Sequence, residues 1–251
     1  MADYTMFLFA SHGIISLLCE LNRIGEDRMK GILFDMDGVL IDSEPSYVRA
    51  DEALFAMLGL PYGEKEIAAM TGANSYVIAG LIAGWHPHME ARREEVARLY
   101  EEGLYKALLT DVQGLIPGVM AWVERAKAAG LKLAIGSSSS NRMVYHVADS
   151  FGLTPLMDAI VTGEMVKRGK PYPDIYLRAC LEISLPPGDC VVIEDSVNGL
   201  KSGRAAGAYC AAFHGTNRNG FDLSGCDMAF DAYTDEAWDR LLRIGERIDR
   251  D

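Results

Sequence analysis

The run Gly31-Ile32-Leu33-Phe34-Asp35-Met36-Asp37-Gly38-Val39-Leu40-Ile41-Asp42-Ser43-Glu44 ends an apolar segment abruptly in two carboxylates and a glycine. Lys30 to Phe34 shows no polar alternation, the pattern of a strand covered on both faces by helices, and such strands belong to parallel sheets. In an open parallel sheet, ligands bind beyond the carboxyl ends of the strands. Asp35 and Asp37 thus fall where chemistry is expected, and Gly38 permits a sharp turn of the backbone. Taken alone, Asp and Gly after a strand also make a simple turn. A calcium loop is excluded, because its template places Gly sixth and Glu twelfth, whereas Gly38 is fourth from Asp35.

The rest of the chain decides between a turn and a site. From Glu44 to Thr110 the pattern is helical: Val48, Leu54, Phe55, Met57 and Leu58 recur near helical spacing, with a stop at Gly59-Leu60-Pro61. Further helices are expected over 64–70, 75–83 and 89–109, and no strand signal interrupts them. An all-helical insert directly after a first strand reads as a lid over that strand's carboxyl end. From Ile116 onward, strands and helices alternate, the mark of a sheet wound with helices. Strands are expected over 131–135, 159–161, 190–193 and 209–213, with a weak edge strand over 228–230. Helices are expected over 117–130, 141–151, 173–181, 196–206 and 234–248. The fold class is therefore α/β: a Rossmann-like parallel sheet wound with helices, plus an all-helical cap inserted after the first strand. The expected organisation is a leader over 1–28, a core over 29–43 and 111–251, and a cap over 44–110.

Each of the four main strands is followed by polar groups. Asp35 and Asp37 follow the first; Ser137 to Ser140 and Asn141 the second; Thr162, Gly163, Glu164, Lys167 and Lys170 the third; Glu194, Asp195 and Ser196 the fourth. In a parallel sheet all four sets project from one edge, and chance would scatter them over both. Carboxylates gathered there repel one another and desolvate badly, so the arrangement calls for a cation. All-oxygen ligands point to a hard ion, most simply Mg²⁺. A serine hydroxyl with amides at a helix start binds phosphate oxygens, and a lysine supplies a compact neutralising charge. Taken singly, the serines would be a cap or linker, Lys170 a surface lysine, and Glu194-Asp195 a helix N-terminus.

The net charge of −12 disfavours nucleic acid and anionic membrane as partners. Any phosphate ligand must then be held by local positive charge. The apolar part of the leader, from Met6 to Leu21, contains His12, Gly13 and Glu20, is too short to span a bilayer, and follows the acidic Asp3 rather than a basic segment. Met29 is the expected native start. Five cysteines (Cys19, Cys180, Cys190, Cys210, Cys226) show no zinc or redox spacing, as expected of free thiols in a reducing cytoplasm. A monomer is expected. His86-Pro87-His88 reads as surface histidines rather than a metal pair, and Gly199, Gly203 and Gly207 as a stripe that lets a helix lie close on the sheet.

The order Asp35-Met36-Asp37-Gly38-Val39, then Ser137 after a strand, Lys170-Pro171, and Glu194-Asp195 after a strand resembles the haloacid dehalogenase-like hydrolases, more narrowly their beta-phosphoglucomutase-like phosphatases. The resemblance runs from residue 30 to about residue 215. It implies that Asp35 is the nucleophile forming an aspartyl-phosphate and that Asp37 is the general acid and then base. It implies Mg²⁺ held by Asp35, the Asp37 backbone carbonyl and Asp195, with Glu194 near or in the shell. Ser137 and Lys170 would grip the phosphoryl group, with Ser138 and Asn141 beside them. It also implies that the first and fourth strands are neighbours.

The sequence departs from the mutase pattern in the cap. Tyr47 stands where the mutases carry a His, and Thr71-Gly72-Ala73-Asn74-Ser75 replaces a loop in which a Lys and an Arg flank the glycine. A mutase needs fixed positive charge in the cap for a second phosphate. Hydrolysis is therefore expected, with Thr71, Gly72, Asn74 and Ser75 as substrate-binding candidates or, equally, as a helix-capping loop. The expected substrate is a small phosphorylated metabolite, a sugar or polyol phosphate. Alternatives are a sugar-phosphate mutase, an inorganic pyrophosphatase and, from another class, a phospho-accepting regulatory domain.

Overall fold

Strand β1 (Gly31–Phe34) is buried along its whole length, as its unbroken apolar text requires. The computed structural model describes residues 29–70, 73–112, 114–216, 220 and 222–244. The leader over 1–28 and the candidates Thr71 and Gly72 lie outside the described residues. After β1 come α1 (Glu44–Leu58), α2 (Glu64–Met70), α3 (Ser75–Trp85), a 3₁₀ turn (Pro87–Arg92) and α4 (Arg93–Asp111). The winding part follows with α5 (Val119–Ala128), β2 (Lys132–Gly136), α6 (Asn141–Ser150), β3 (Ala159–Val161), α7 (Asp174–Glu182), β4 (Cys190–Glu194), α8 (Val197–Ala206), β5 (Tyr209–Phe213), β6 (Met228–Phe230) and α9 (Asp235–Leu242).

The six strands form one sheet in the order β3-β2-β1-β4-β5-β6, and every neighbouring pair is parallel. Parallel neighbours need crossovers, and the helices supply them on both faces. Alternate residues divide accordingly. Ile32, Phe34, Val191, Ile193, Ala211 and Phe213 pack with Trp122 of α5, Val144 of α6 and Trp238 of α9. Leu33, Ala134, Val192, Cys210 and Ala212 pack with Ile175 and Tyr176 of α7 and Leu200 of α8. Phe34 lies in register with Ile135 on one side and Ile193 on the other. The residues that follow these three strands therefore leave the sheet at one level.

Two helices differ from the sequence expectation. The helix expected over 89–109 begins as the 3₁₀ turn Pro87–Arg92 and becomes α-helical only at Arg93. The last helix ends at Leu242 within the described residues. The glycine stripe also divides. A Cβ on Gly199 would sit 1.8 Å from the Glu194 carboxylate carbon, and one on Gly203 would press on Cys210 Sγ and Val192. Gly207 instead ends α8 in the left-handed conformation (φ 86°) with open space around it. It terminates the helix rather than packing it.

The apolar residues of α1 divide. Leu54 and Phe55 are buried on its inward face with Ser46, Ala50 and Asp51, and Leu58 packs against the core from its edge. Val48 and Met57, at the same helical spacing, are exposed. Opposite the sheet, Tyr105 of α4 meets α6: the Arg142 guanidinium lies 3.6 Å from its ring centroid, and the His146 ring meets it edge-on at 5.6 Å.

Gly199→Ala forces a methyl into a buried carboxylate and is expected to lose about 3 kcal/mol or more. Gly207→Ala meets only backbone strain and loses about 1–2 kcal/mol. Urea unfolding midpoints check the ranking, and equal losses would contradict the packing account.

Candidate active site

The sheet register sets Asp35 and Glu194 side by side. Asp35 follows Phe34, whose partner across β4 is Ile193, and the Asp35 amide donates to the Ile193 carbonyl at 3.0 Å. Beyond Asp35 the chain folds back on itself. Gly38 has φ 73°, its amide donates to the Ile41 carbonyl, and its own carbonyl accepts from the Thr216 hydroxyl at 2.6 Å. A Cβ here would sit 1.8 Å from Asp195 Oδ2. Gly38 is thus required twice, by its backbone angle and by the approach of Asp195.

Asp35, Glu194 and Asp195 each offer a carboxylate oxygen, and all three oxygens lie within 4.8 Å of one another. Into this group reaches Lys170, whose Nζ donates to Asp35 Oδ1 at 2.7 Å and to Glu194 Oε1 at 2.6 Å. Its side chain is only 6% exposed. Glu194 is the most heavily engaged of the acids. Oε1 also accepts from the Tyr176 hydroxyl at 2.6 Å, and Oε2 accepts from the Ser196 hydroxyl and amide. Ser196 caps α8 by accepting from the Gly199 amide. Gly199 leaves the room for that carboxylate.

Asp37 stands one side of this group. Its Oδ2 accepts from the Ser139 hydroxyl at 2.8 Å, and Ser139 Oγ lies 3.5 Å from the Tyr47 hydroxyl of α1. Its Oδ1 is buried without a hydrogen-bond partner. Ser137 ends β2 fully buried, and its Oγ accepts from the Ser139 amide at 3.0 Å, shaping the loop that carries Ser139. Ser138 is exposed, and its carbonyl lies against Gly163 with no room for a Cβ there. Asn141 Oδ1 accepts from the Thr162 hydroxyl at 2.6 Å, tying the loops after β2 and β3 together.

The electrostatics follow from four carboxylates and one ammonium in a shielded space. Burial, then the Glu194 charge, pushes Asp35 up to about 7 despite Lys170. Burial and the charges of Glu194 and Asp35 push Asp195 up to about 9. Burial also raises Asp37, against the hydrogen bonds of Ser43 and Ser139. For Lys170 burial acts downward, but Asp35 and Glu194 outweigh it and hold the ammonium well above its usual range. The cluster is short of positive charge, its donors are all oxygen, and an acid oxygen beside it lacks a partner. A hard divalent cation fits such a set.

The sequence candidates therefore divide. Asp35, Asp37, Glu194, Asp195 and Lys170 gather at one edge of the sheet, with Ser137 beneath the loop that contacts Asp37. Lys167 and Glu164, from the same strand end as Lys170, are exposed. In the cap, Asn74 accepts from the Val77 amide as the N-cap of α3, and Ser75 donates to Glu101 at 2.7 Å. Both have partners within the cap. Sequence reasoning passed over Ser139, Tyr176 and Thr216. Ser139 lay among four consecutive serines, of which only Ser137 and Ser138 were singled out. Tyr176 and Thr216 stand in no local motif, and only the packing of α7 and of the loop after β5 brings them in.

Residues 29–207 match the family model of haloacid dehalogenase-like hydrolases. Hexitol phosphatase B of Escherichia coli is 33% identical over 176 residues, 69% of this chain and 78% of that protein. Fructose-1-phosphate phosphatase YqaB of Escherichia coli is 31% identical over 188 residues, 72% of this chain and 94% of its own. Among solved structures, CbbY from Rhodobacter sphaeroides in complex with phosphate superposes with a TM-score of 0.70 at 29% identity, covering 82% of this chain and 96% of that one. The chain belongs to the haloacid dehalogenase-like hydrolases. It is a phosphatase, a phosphoric monoester hydrolase.

Lys170→Met would leave Glu194 and Asp35 buried without their counter-charge, a loss of about 3–5 kcal/mol. Adding Glu194→Gln is expected to restore part of it. Chemical denaturation of both variants checks this, and a double variant weaker than the sum of the singles would refute the pairing.

Proposed function

We propose that the protein is a Mg²⁺-dependent phosphatase that hydrolyses a small phosphomonoester, a sugar or polyol phosphate, through an aspartyl-phosphate. The observation that carries this reading is the Lys170 ammonium bridging Asp35 and Glu194, with Asp195 near enough to share one ion with them. Asp35 is the nucleophile. Its Oδ1 is held by Lys170, which leaves Oδ2 to form the bond to phosphorus as the bond to the leaving oxygen breaks in line. Asp37 protonates that oxygen and the alcohol departs. Asp37, now a carboxylate, takes a proton from the water that attacks the acyl phosphate, so that inorganic phosphate forms and Asp35 is restored.

Burial favours the protonated form of Asp37 that the first half requires, and Ser139 orients it. Lys170 neutralises charge on the phosphoryl group, and Ser137 positions the loop of Ser139 and the amides beyond it. Mg²⁺, held by Asp35, Asp195 and the Asp37 carbonyl with Glu194 alongside, would supply Lewis-acid stabilisation of the phosphoryl oxygens. The cap helices close over the site and exclude water. The substrate class is inferred from the relatives, which are named for hexitol and fructose-1-phosphate hydrolysis.

Hydrolysis is favoured over phosphoryl exchange by the cap charges. Arg49 pairs with Asp111, Arg92 with Glu95, Arg93 with Glu90 and Arg98 with Glu102. A second phosphate would have to compete with each of these carboxylates. Among the described residues no helix is long and apolar enough to cross a membrane.

Purified protein with Mg²⁺ and a panel of sugar and polyol phosphates is expected to release inorganic phosphate over many turnovers. Isomerised sugar phosphate without release would support a mutase, and one stoichiometric burst a phosphoacceptor. Chelation of Mg²⁺ abolishes release. Asp35→Asn abolishes turnover, and a variant with near-normal rates would falsify the nucleophile assignment. Asp37→Asn loses about 10²–10⁴-fold on alkyl phosphates and much less on activated aryl phosphates. Equal losses on both would remove its role as acid.

A further inference from the structure

The inward face of α1 is polar where it faces the catalytic acid. Ser43, Tyr47 and Asp51 stand four residues apart and so share one side of the helix. Ser43 and Asp51 are buried. Ser43 lies near enough to Asp37 to favour its charged form, and Tyr47 reaches Asp37 through Ser139. Asp51 continues the same line one turn further into the cap. The Tyr100 hydroxyl of α4 lies near enough to favour the charged form of Asp51, and Tyr100 feels the charges of Asp51 and Asp37 together. Asp51 is only 4% exposed, yet its Oδ1 has no hydrogen-bond partner.

A buried carboxylate with an unmet oxygen is costly. Burial lifts the Asp51 carboxyl to about 6, Tyr100 acting against it and Glu52 with it. Asp51 stands on the inward face of α1 with Leu54 and Phe55. A group that weakens the fold, on the same side of α1 as Tyr47 and beside a Tyr100 that feels the Asp37 charge, fits a role in binding.

Resting on the reading of the protein as a phosphatase, we infer that Asp51, braced by Tyr100, is a specificity-determining residue whose free oxygen accepts a hydrogen bond from a hydroxyl of the substrate's leaving group. The leaving group it selects is polyhydroxylated and uncharged. Hydroxyl donors satisfy the orphan oxygen, whereas a leaving group carrying its own carboxylate or second phosphate meets like charge. This separates polyol and sugar monophosphates from phospho-acids and bisphosphates.

The test compares kcat/KM for sorbitol 6-phosphate with kcat/KM for 4-nitrophenyl phosphate, which has no hydroxyl to offer. In Asp51→Leu the ratio of the two is expected to fall by about tenfold or more, chiefly through KM for sorbitol 6-phosphate. The isosteric Asp51→Asn is expected to lower it less and to raise the relative rate on phosphoglycolate, because the repelling charge is gone. Both variants are expected to melt higher than the wild type, since a buried charge has been removed, whereas a structural role for Asp51 would lower the melting temperature. A ratio within threefold of the wild-type value in both variants overturns the inference while leaving the phosphatase standing. A wild-type protein that cleaves neither ester overturns the phosphatase reading and the inference with it.

Discussion

One ammonium facing several carboxylates governs the architecture at the carboxyl edge of the sheet. Lys170 binds Asp35 and Glu194 at once, and without it two neighbouring strand ends would repel each other in a space shielded from water. The pair is held from behind by Tyr176, Ser196 and the close approach of α8 that Gly199 allows. Such ties place Lys170 and Asp35 before any ligand arrives. Catalysis by positioning depends on that kind of readiness, because donors already aimed need no reorganisation during reaction.

The sheet contributes through register rather than through any special strand. Because β1 lies between β2 and β4 with Phe34 level with Ile135 and Ile193, three loops leave from one height and meet. The first brings Asp35, the second the hydroxyl that contacts Asp37, the third two further acids. Helices on both faces keep the strands in place, and the apolar layers there are the reason that Leu33 and Phe34 tolerate no polar neighbour. Chemistry at the edge and packing in the middle are therefore set by the same register.

Most of this was legible because strand ends in a parallel sheet are a strong constraint. An unbroken apolar run followed by acids tells both where the strand stops and that its end matters, so Asp35, Asp37, Lys170, Glu194 and Asp195 could be named from spacing and resemblance. Ser139 was hidden by its neighbours: four serines in a row carry no signal of which one turns toward Asp37. Tyr176 was hidden by distance, since its hydroxyl reaches Glu194 only after α7 folds across β2 and β3. Helix α1 was legible only in part. Its apolar spacing includes Leu54 and Phe55 of the inward face, but Ser46 and Asp51 are buried there too, and a period read from apolar residues carries no signal for buried polar ones. Asn74 shows the converse, a polar residue at a loop end whose side chain caps the helix that follows.

The junction between Tyr105 and Arg142 bears on how such a molecule behaves among its neighbours. Were the helical insert to part from the sheet along this seam, a guanidinium and an aromatic face with a histidine at its edge would come apart. Water solvates a freed guanidinium well, and a tyrosine keeps its hydroxyl wet. At this seam the gaping form therefore offers other proteins in a crowded solution little to adhere to, and a catalytic cycle built on repeated opening need not carry a risk of aggregation there.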